Sequence, residues 1–178
     1  MSGLKEGLLS DDDDVVLNSL QTLDSMLRKG EAGSEFIPML CRLLSREDTI
    51  RTKALWCIGK LGQNKQGDST SLRIICSFTK DSEAENRENT AWALGELAGA
   101  EVGDTDSLDS LIPLLEDEDV HVRGMAAWSV GRYADKLGIV NTDTVRHLEN
   151  MTEEASPYLI KSAEFALERV KARLHPES

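Results

Sequence analysis

The sequence predicts an all-α protein built from helical repeats, and three observations carry that prediction. Hydrophobic residues make up 40% of the 178 residues and aromatic residues only 4%, so a core must be packed mainly from aliphatic side chains. Four prolines and few runs of β-branched residues disfavour a β-sheet protein. The third observation is a segment that recurs at a fixed interval along the chain.

The interval is 36 residues, and it separates the tryptophans Trp56, Trp92 and Trp128. Two further residue types keep the same interval: the arginines Arg51, Arg87 and Arg123, and the glycines Gly59, Gly95 and Gly131. Three residue types that hold one register through three copies indicate an internal repeat.

Extending this interval to both ends gives five units within a single domain of residues 1–178. Their approximate bounds are 1–29, 30–65, 66–101, 102–137 and 138–178. Leu20 then takes the tryptophan position of the first unit, and Glu164 takes that of the last. Both outer units are degenerate, as the capping units of repeat proteins tend to be.

Each unit holds two helical patterns, which are clearest in the fourth unit. The first pattern is an amphipathic stripe of Leu108, Leu111, Ile112 and Leu115. An acidic turn over 116–119 then suits the N-terminus of a second helix. That helix carries on one face Val122, Ala126, Val130 and Tyr133.

Two further segments predict helix starts near the ends of the chain. The run Asp11–Asp14 lacks the alternating ligands, glycine and distal glutamate of an EF-hand loop, so it indicates charge at a helix N-terminus. The pair Ser156–Pro157 is typical of an N-cap followed by proline at the first helical position.

Residues 122–131, V-R-G-M-A-A-W-S-V-G, resemble the pattern V-R-x-x-A-A-x-A-L-G of the HEAT repeats of phycobilisome-lyase-like proteins. The resemblance covers about the whole chain, most strongly the three middle units. It implies a right-handed α-α superhelix, a HEAT-type solenoid of about five two-helix repeats, but it does not identify a function. The valine position holds Ile50 in unit two and Asn86 in unit three, and Asn86 predicts weaker packing there.

The resemblance also implies a binding surface, because variable positions of the second helices face the concave side in this family. The candidate partner-binding residues are Thr52, Lys53, Trp56, Lys60, Glu88, Asn89, Trp92, Glu96, Met125, Trp128 and Arg132, with Gly124 beside them. A row of tryptophans with polar neighbours has the composition of a binding hot spot. Alternatively, each indole packs between adjacent second helices, and the sequence leaves both interpretations open.

Charged rows along the second helices are expected to be structural. Lys60, Glu96 and Arg132 form a surface row of alternating sign, of small energetic value. The three repeated arginines are expected to bond acidic residues of the neighbouring turn, such as Glu47, Glu83 or Asp119.

The net charge of −12 bears on the class of partner. It disfavours nucleic acid and anionic membranes, and it allows a basic protein segment. No stretch is long and apolar enough for a transmembrane helix, and no signal peptide is evident at the N-terminus. The thiols Cys41, Cys57 and Cys76 form no CxxC pair, which is typical of reduced core cysteines in a cytoplasmic protein.

Catalytic chemistry finds no support in the sequence. Metal-dependent hydroxylases with HEAT-type repeats use His-Glu pairs, whereas the histidines here precede Val122, Leu148 and Pro176. No GxGxxG or P-loop string is present. We therefore expect no enzyme activity, no catalytic or metal-binding residues and no cofactor.

The function that the sequence favours is that of an adaptor or scaffold. It would bind a basic or amphipathic helical segment of another protein on the concave face of the second helices. An alternative is a bilin-lyase-like or chaperone-type subunit that acts on a chromophore protein, and nucleic-acid binding is the least favoured class.

Overall fold

A computed structural model describes residues 2–176 as ten α-helices without a β-strand in that range. The helices are α1 Ser2–Leu8, α2 Asp13–Arg28, α3 Ile37–Leu43, α4 Asp48–Gln63, α5 Leu72–Ser77, α6 Ala84–Gly99, α7 Thr105–Leu111, α8 Val120–Leu137, α9 Asp143–Thr152 and α10 Pro157–Leu174. Short 3₁₀ segments extend several of the first helices, at Ser34–Phe36, Ser69–Ser71, Phe78–Lys80 and Ile112–Glu116.

The helices form five hairpins whose long second helices stack side by side. Helix α6 packs against α4 and α8, and α8 packs in turn against α10, whereas α2 packs less extensively against α4. The odd-numbered helices cover one side of this stack, and aliphatic side chains fill the space between. The predicted all-α, right-handed superhelical solenoid is confirmed.

Small residues let the second helices approach closely. A β-carbon on Gly62 of α4 would lie 2.7 Å from the backbone of Glu96 and Leu97 on α6, so only glycine fits at this position. Ala91, Ala126 and Ala127 are fully buried at equivalent surfaces of α6 and α8.

The N-caps of the second helices set the true register of the units. These caps are Asp12, Glu47, Glu83, Asp119 and Ser156, which are spaced by 35, 36, 36 and 37 residues. The 36-residue period is therefore confirmed for the middle units but is one residue too long at the first interval and one too short at the last. The assignments of Leu20 and Glu164 to the tryptophan position are wrong, because Gln21 and Phe165 stand at the corresponding distance from their N-caps.

The first helix of the fourth unit also differs from expectation. The α-helix ends at Leu111, and the chain continues as 3₁₀ turns over Ile112–Glu116. Pro113 explains the change, because it has no N–H to donate to the carbonyl four residues back.

The three repeated arginines are structural, as expected, but their acidic partners are different ones. Each arginine reaches back to carbonyls that end its own first helix, as Arg87 does to Asp81 and Ser82. Each also bridges to an acidic residue of the next unit, in the pairs Arg51–Asp81 (3.0 Å), Arg87–Asp117 (2.7 Å) and Arg123–Glu154 (2.9 Å). Glu47 and Asp119 are instead occupied with capping their helices, and Glu83 stands at the N-cap of α6 without a side-chain bond to the helix.

Asn86, for which the sequence predicts weaker packing, has hydrogen-bond partners in the structure. The side chain is fully buried, donates to Asp81 Oδ1 (3.2 Å) and accepts from the Thr52 hydroxyl (2.8 Å). A buried amide with both ends bonded joins units two and three where an aliphatic residue would only pack.

Candidate binding groove

Two positions on each second helix organise its inner surface. The ring position lies nine residues after the N-cap and holds Gln21, Trp56, Trp92, Trp128 and Phe165 along the five units. The glycine position lies twelve residues after the N-cap and holds Asp24, Gly59, Gly95, Gly131 and Glu168.

An aromatic ring of one unit packs on the glycine of the preceding unit at three successive interfaces. A β-carbon would lie 2.2 Å from the Trp92 ring if added to Gly59, 2.5 Å from the Trp128 ring if added to Gly95, and 2.6 Å from the Phe165 ring if added to Gly131. Trp92 and Trp128 are therefore half-buried. They pack between adjacent second helices, as the alternative interpretation of the tryptophan row predicts.

Trp56 is the exception, because the glycine position of the first unit holds Asp24. The indole Nε1 donates to Asp24 Oδ1 at 3.0 Å. The residue is 38% exposed, and its ring stacks on Trp92, with centroids 4.8 Å apart and planes inclined by 24°. Trp56 is the most exposed of the three tryptophans.

Trp56 forms one wall of a groove of about 600 Å³ between α2, α4 and α6. Its lining is Leu17, Asn18, Leu20, Gln21, Asp24, Arg28, Thr52, Lys53, Trp56, Cys57, Glu85 and Asn89. A smaller hollow of about 350 Å³ shares Thr52, Lys53 and Glu85 and continues toward Asp48 and Glu83. The lining combines the apolar side chains of Leu17, Leu20 and Trp56 with polar and charged ones.

Several polar groups of this groove have unused hydrogen-bonding capacity. Among residues 2–176, the side-chain amides of Asn18, Gln21 and Asn89 make no hydrogen bond, and Lys53 and Glu85 make no ion pair. Amides offer a donor and an acceptor each, so they suit a ligand that carries both.

The charge on Asp24 is held in place by two donors. Partial burial by itself raises the pKa of this carboxyl, but hydrogen bonds from Arg28 and Trp56 outweigh burial and hold the pKa below its ordinary value. Arg28 Nε lies 2.9 Å from Asp24 Oδ2. Cys57 lines the groove as a neutral thiol, because burial raises its pKa to about 12.

The remaining predicted site residues lie outside the lining of this groove. Arg132 pairs with the buried Glu96 at 3.5 Å and covers Trp128, with the guanidinium 5.4 Å from the ring centroid. Lys60 bonds Gln63 instead of joining that pair and lies 5.9 Å from the Trp56 ring, so the predicted alternating row exists only in part.

The N-terminal end of α8 is covered by the start of α10. Tyr158 packs over Gly124, where a β-carbon would lie 2.1 Å from its ring. Met125 and Glu88 are half-buried nearby, and burial raises the pKa of the Glu88 carboxyl.

The groove thus unites only part of the predicted set: Thr52, Lys53, Trp56 and Asn89. Sequence reasoning missed the contribution of α2, namely Leu17, Asn18, Leu20, Gln21, Asp24 and Arg28. The available signal was Asp12 as the N-cap, which would have placed the first unit 35 residues before the second.

No group of His, Cys, Asp and Glu side chains in the described part of the chain is placed to hold a metal ion. No helix there is long and apolar enough to cross a membrane.

Engineered proteins are among the solved structures of similar fold. One is an engineered protein with a TM-score of 0.70 and 19% identity, covering 96% of this chain and 78% of its own. Another is a designed armadillo repeat protein in complex with the peptide (KR)4, with a TM-score of 0.69 and 18% identity, covering 97% and 85%. A further designed armadillo repeat protein has a TM-score of 0.68 and 17% identity, covering 95% and 81%. These likenesses show the fold alone.

Sequence comparison shows the family. No curated protein is significantly similar to the chain. The family model described as HEAT repeats matches residues 72–168, which is more than half of the sequence. The matched segment contains two of the three repeats with tryptophan at the ring position and the last unit with Phe165. The chain belongs to the HEAT-repeat family.

Proposed function

We propose that this protein is an adaptor that binds a basic segment of a partner protein in the groove between α2, α4 and α6. The observation that carries the proposal is the exposed face of Trp56, stacked on Trp92 within a concave surface. Large aromatic side chains at the centre of a concave patch are typical binding hot spots. The stacked helices hold this surface in place, so binding orders few additional groups.

Charge supports a basic occupant. The groove and the adjoining hollow are lined by the carboxylates of Asp24, Asp48, Glu83 and Glu85 against the two basic groups of Arg28 and Lys53. The chain as a whole carries −12, which favours encounter with a cationic segment. The designed armadillo protein of similar fold was solved with the alternating Lys-Arg peptide (KR)4, which fits the same chemistry.

The side chains also suit the parts of such a segment. The Trp56 ring can receive the aliphatic stem and charged head of a lysine or arginine. The free amides of Asn18 and Asn89 can donate to and accept from its main chain. The unpaired thiols Cys41, Cys57 and Cys76 favour a reducing, cytoplasmic setting for this binding.

The test is fluorescence anisotropy with a fluorescein-labelled (KR)4 peptide. We expect saturable binding, and no binding of a (GS)4 peptide of the same length. Trp56→Ala should weaken the affinity about 30-fold, the effect of losing a hot-spot residue of about 2 kcal/mol.

The matched control is Ile74→Ala, which removes another exposed apolar side chain, from α5 and outside the groove lining. This variant should bind as the wild type does. Equal affinity of Trp56→Ala and wild type for (KR)4, or wild-type binding of (GS)4 as tight as that of (KR)4, would contradict the proposal.

A further inference from the structure

We infer that Asp24 is the positioning residue that keeps this groove open, by holding Trp56 at the surface where the three later units pack their rings on glycine. The inference rests on the proposed function for its biological meaning. Its structural part stands on the geometry of the four interfaces between second helices.

Those interfaces differ at one position. Gly59, Gly95 and Gly131 each leave room for the ring of the next unit, which comes within 2.6 Å of where a β-carbon would be. Asp24 stands at the same distance from its N-cap as these glycines do. Its side chain occupies the space that a ring would enter, so the Trp56 indole cannot lie against the α2 backbone.

The Asp24 carboxylate also fixes the indole in its exposed orientation. Trp56 Nε1 donates to Oδ1, and Arg28 donates to Oδ2 from the following turn of α2. With both oxygens bonded, the carboxylate is oriented and the ring edge is tethered to it. The ring stacks on Trp92, and the Lys60 ammonium lies 5.9 Å from its centroid.

The consequence is that the larger groove lies beside the first of these interfaces. Helix α2 packs less extensively on α4 than the later second helices pack on each other, and the volume of about 600 Å³ lies at that interface. One residue thus determines where along the solenoid the binding surface lies.

Three substitutions separate the two roles of the side chain. Asp24→Gly removes the acceptor and provides room, so Trp56 should move onto α2 as Trp92 lies on Gly59. Asp24→Ala removes the acceptor but keeps a β-carbon, so the ring should stay out with a looser orientation. Asp24→Asn keeps an oxygen acceptor, so the ring should stay exposed and tethered.

The readout is ¹⁹F NMR of the full chain labelled with 5-fluorotryptophan, with the three signals assigned from single Trp→Phe variants. The H₂O-to-D₂O shift of the Trp56 signal reports its exposure. We expect that shift to fall by at least half in Asp24→Gly and to stay near the wild-type value in Asp24→Asn and Asp24→Ala. Circular dichroism verifies that each variant is folded. If Asp24→Gly fails to fold, the isotope shift of Trp56 in Asp24→Asn is still compared with that of the wild type.

Binding of (KR)4 is measured on the same proteins. Both Asp24→Gly and Asp24→Asn remove the same carboxylate charge, so Asp24→Gly should bind at least tenfold more weakly than Asp24→Asn because only it loses the exposed ring. An unchanged Trp56 isotope shift in folded Asp24→Gly, or a loss of exposure in Asp24→Asn, would overturn the inference. Absence of (KR)4 binding by the wild type would refute the proposed function and leave the ¹⁹F result to decide the role of Asp24.

Discussion

At the scale of single residues, a glycine beneath an aromatic ring defines the contact between consecutive second helices. The ring fills the volume that any side chain at the glycine position would need. Interiors are packed densely enough that even one added methyl group must displace its neighbours. The repeated glycines are therefore required for the second helices to stack, because a larger residue would displace the ring.

Gly59→Ala should destabilise the protein by about 1–3 kcal/mol, because the new methyl group would overlap the Trp92 ring. Equilibrium unfolding in urea, followed by circular dichroism, measures the change. Gly3→Ala is the matched control, since no atom lies within 4 Å of its added β-carbon. There the better helix propensity of alanine should leave stability unchanged or slightly raised. A neutral Gly59→Ala would show that the ring moves aside at no cost.

The residue scale is also where sequence reasoning reached its limit. The periods of the tryptophans and glycines were both visible in the sequence, but nothing in one unit reveals that its ring packs on the glycine of the preceding unit. Asn86 illustrates the same limit, because its two partners, Asp81 and Thr52, lie in different units. Contacts between units depend on the superhelical stacking, which a linear pattern does not contain.

At the scale of helices and turns, partly buried ion pairs connect units two and three, three and four, and four and five. Arg87 Nε and Nη2 both donate to the Asp117 carboxylate, at 2.7 and 2.9 Å, and both side chains are nearly buried. Burial by itself raises the pKa of Asp117, but hydrogen bonds from Arg87 and from the Asp119 backbone outweigh it and lower that pKa.

Asp117→Asn should cost about 3 kcal/mol at neutral pH, because it leaves the Arg87 charge buried without its partner. A carboxyl whose pKa is lower in the folded state stabilises the fold above its unfolded pKa, and loses that effect as pH falls through the folded value. The stability difference between wild type and variant should therefore be constant near pH 7 and shrink below about pH 4. Urea unfolding at several pH values measures this difference.

The control for the ion pair is Glu118→Gln. Glu118 lies 3.9 Å from Arg87 but its side chain is 92% exposed, so we expect little change in stability at any of these pH values. A pH-independent difference for Asp117→Asn down to pH 2 would contradict the assignment of this pair.

Helix starts were largely predictable, and helix register at the ends of the chain was not. Asp12, Asp119 and Ser156 cap their helices as the sequence indicates. The single-residue changes in spacing at both ends moved the ring position by one residue, from Leu20 to Gln21 and from Glu164 to Phe165. The 36-residue period does not reveal such a shift in the outer units, because neither of them has a tryptophan that would mark the ring position.

At the scale of the whole molecule, stability is distributed along the stack. Each hairpin packs mainly on its sequence neighbours, so the protein resembles a linear array more than a globule. We propose that the five units nevertheless act as one domain, because a continuous core of buried aliphatic side chains passes from α1 to α10.

Removal of residues 1–30 deletes α1 and α2 and should leave the remaining units helical. The truncated chain should be less soluble, since it exposes the apolar surfaces of α3 and α4 that the first hairpin covers. It should also lose (KR)4 binding, because α2 supplies half of the groove lining. Circular dichroism and size-exclusion chromatography test the first two points. Complete loss of helicity would instead show that the chain folds as a single cooperative unit.

The pairing of ring and glycine has a consequence for how such a chain can lengthen. The third unit carries Trp92 to pack on the unit before it and Gly95 to receive the ring of the unit after it. A tandem duplication of these 36 residues would therefore supply both complementary surfaces, and the inserted copy could join the stack without new contacts. The first unit has Gln21 at its ring position and the last unit has Glu168 at its glycine position, so a copy added before the first unit or after the last would lack this contact. Only duplication within the array preserves the pairing of ring and glycine at every new interface.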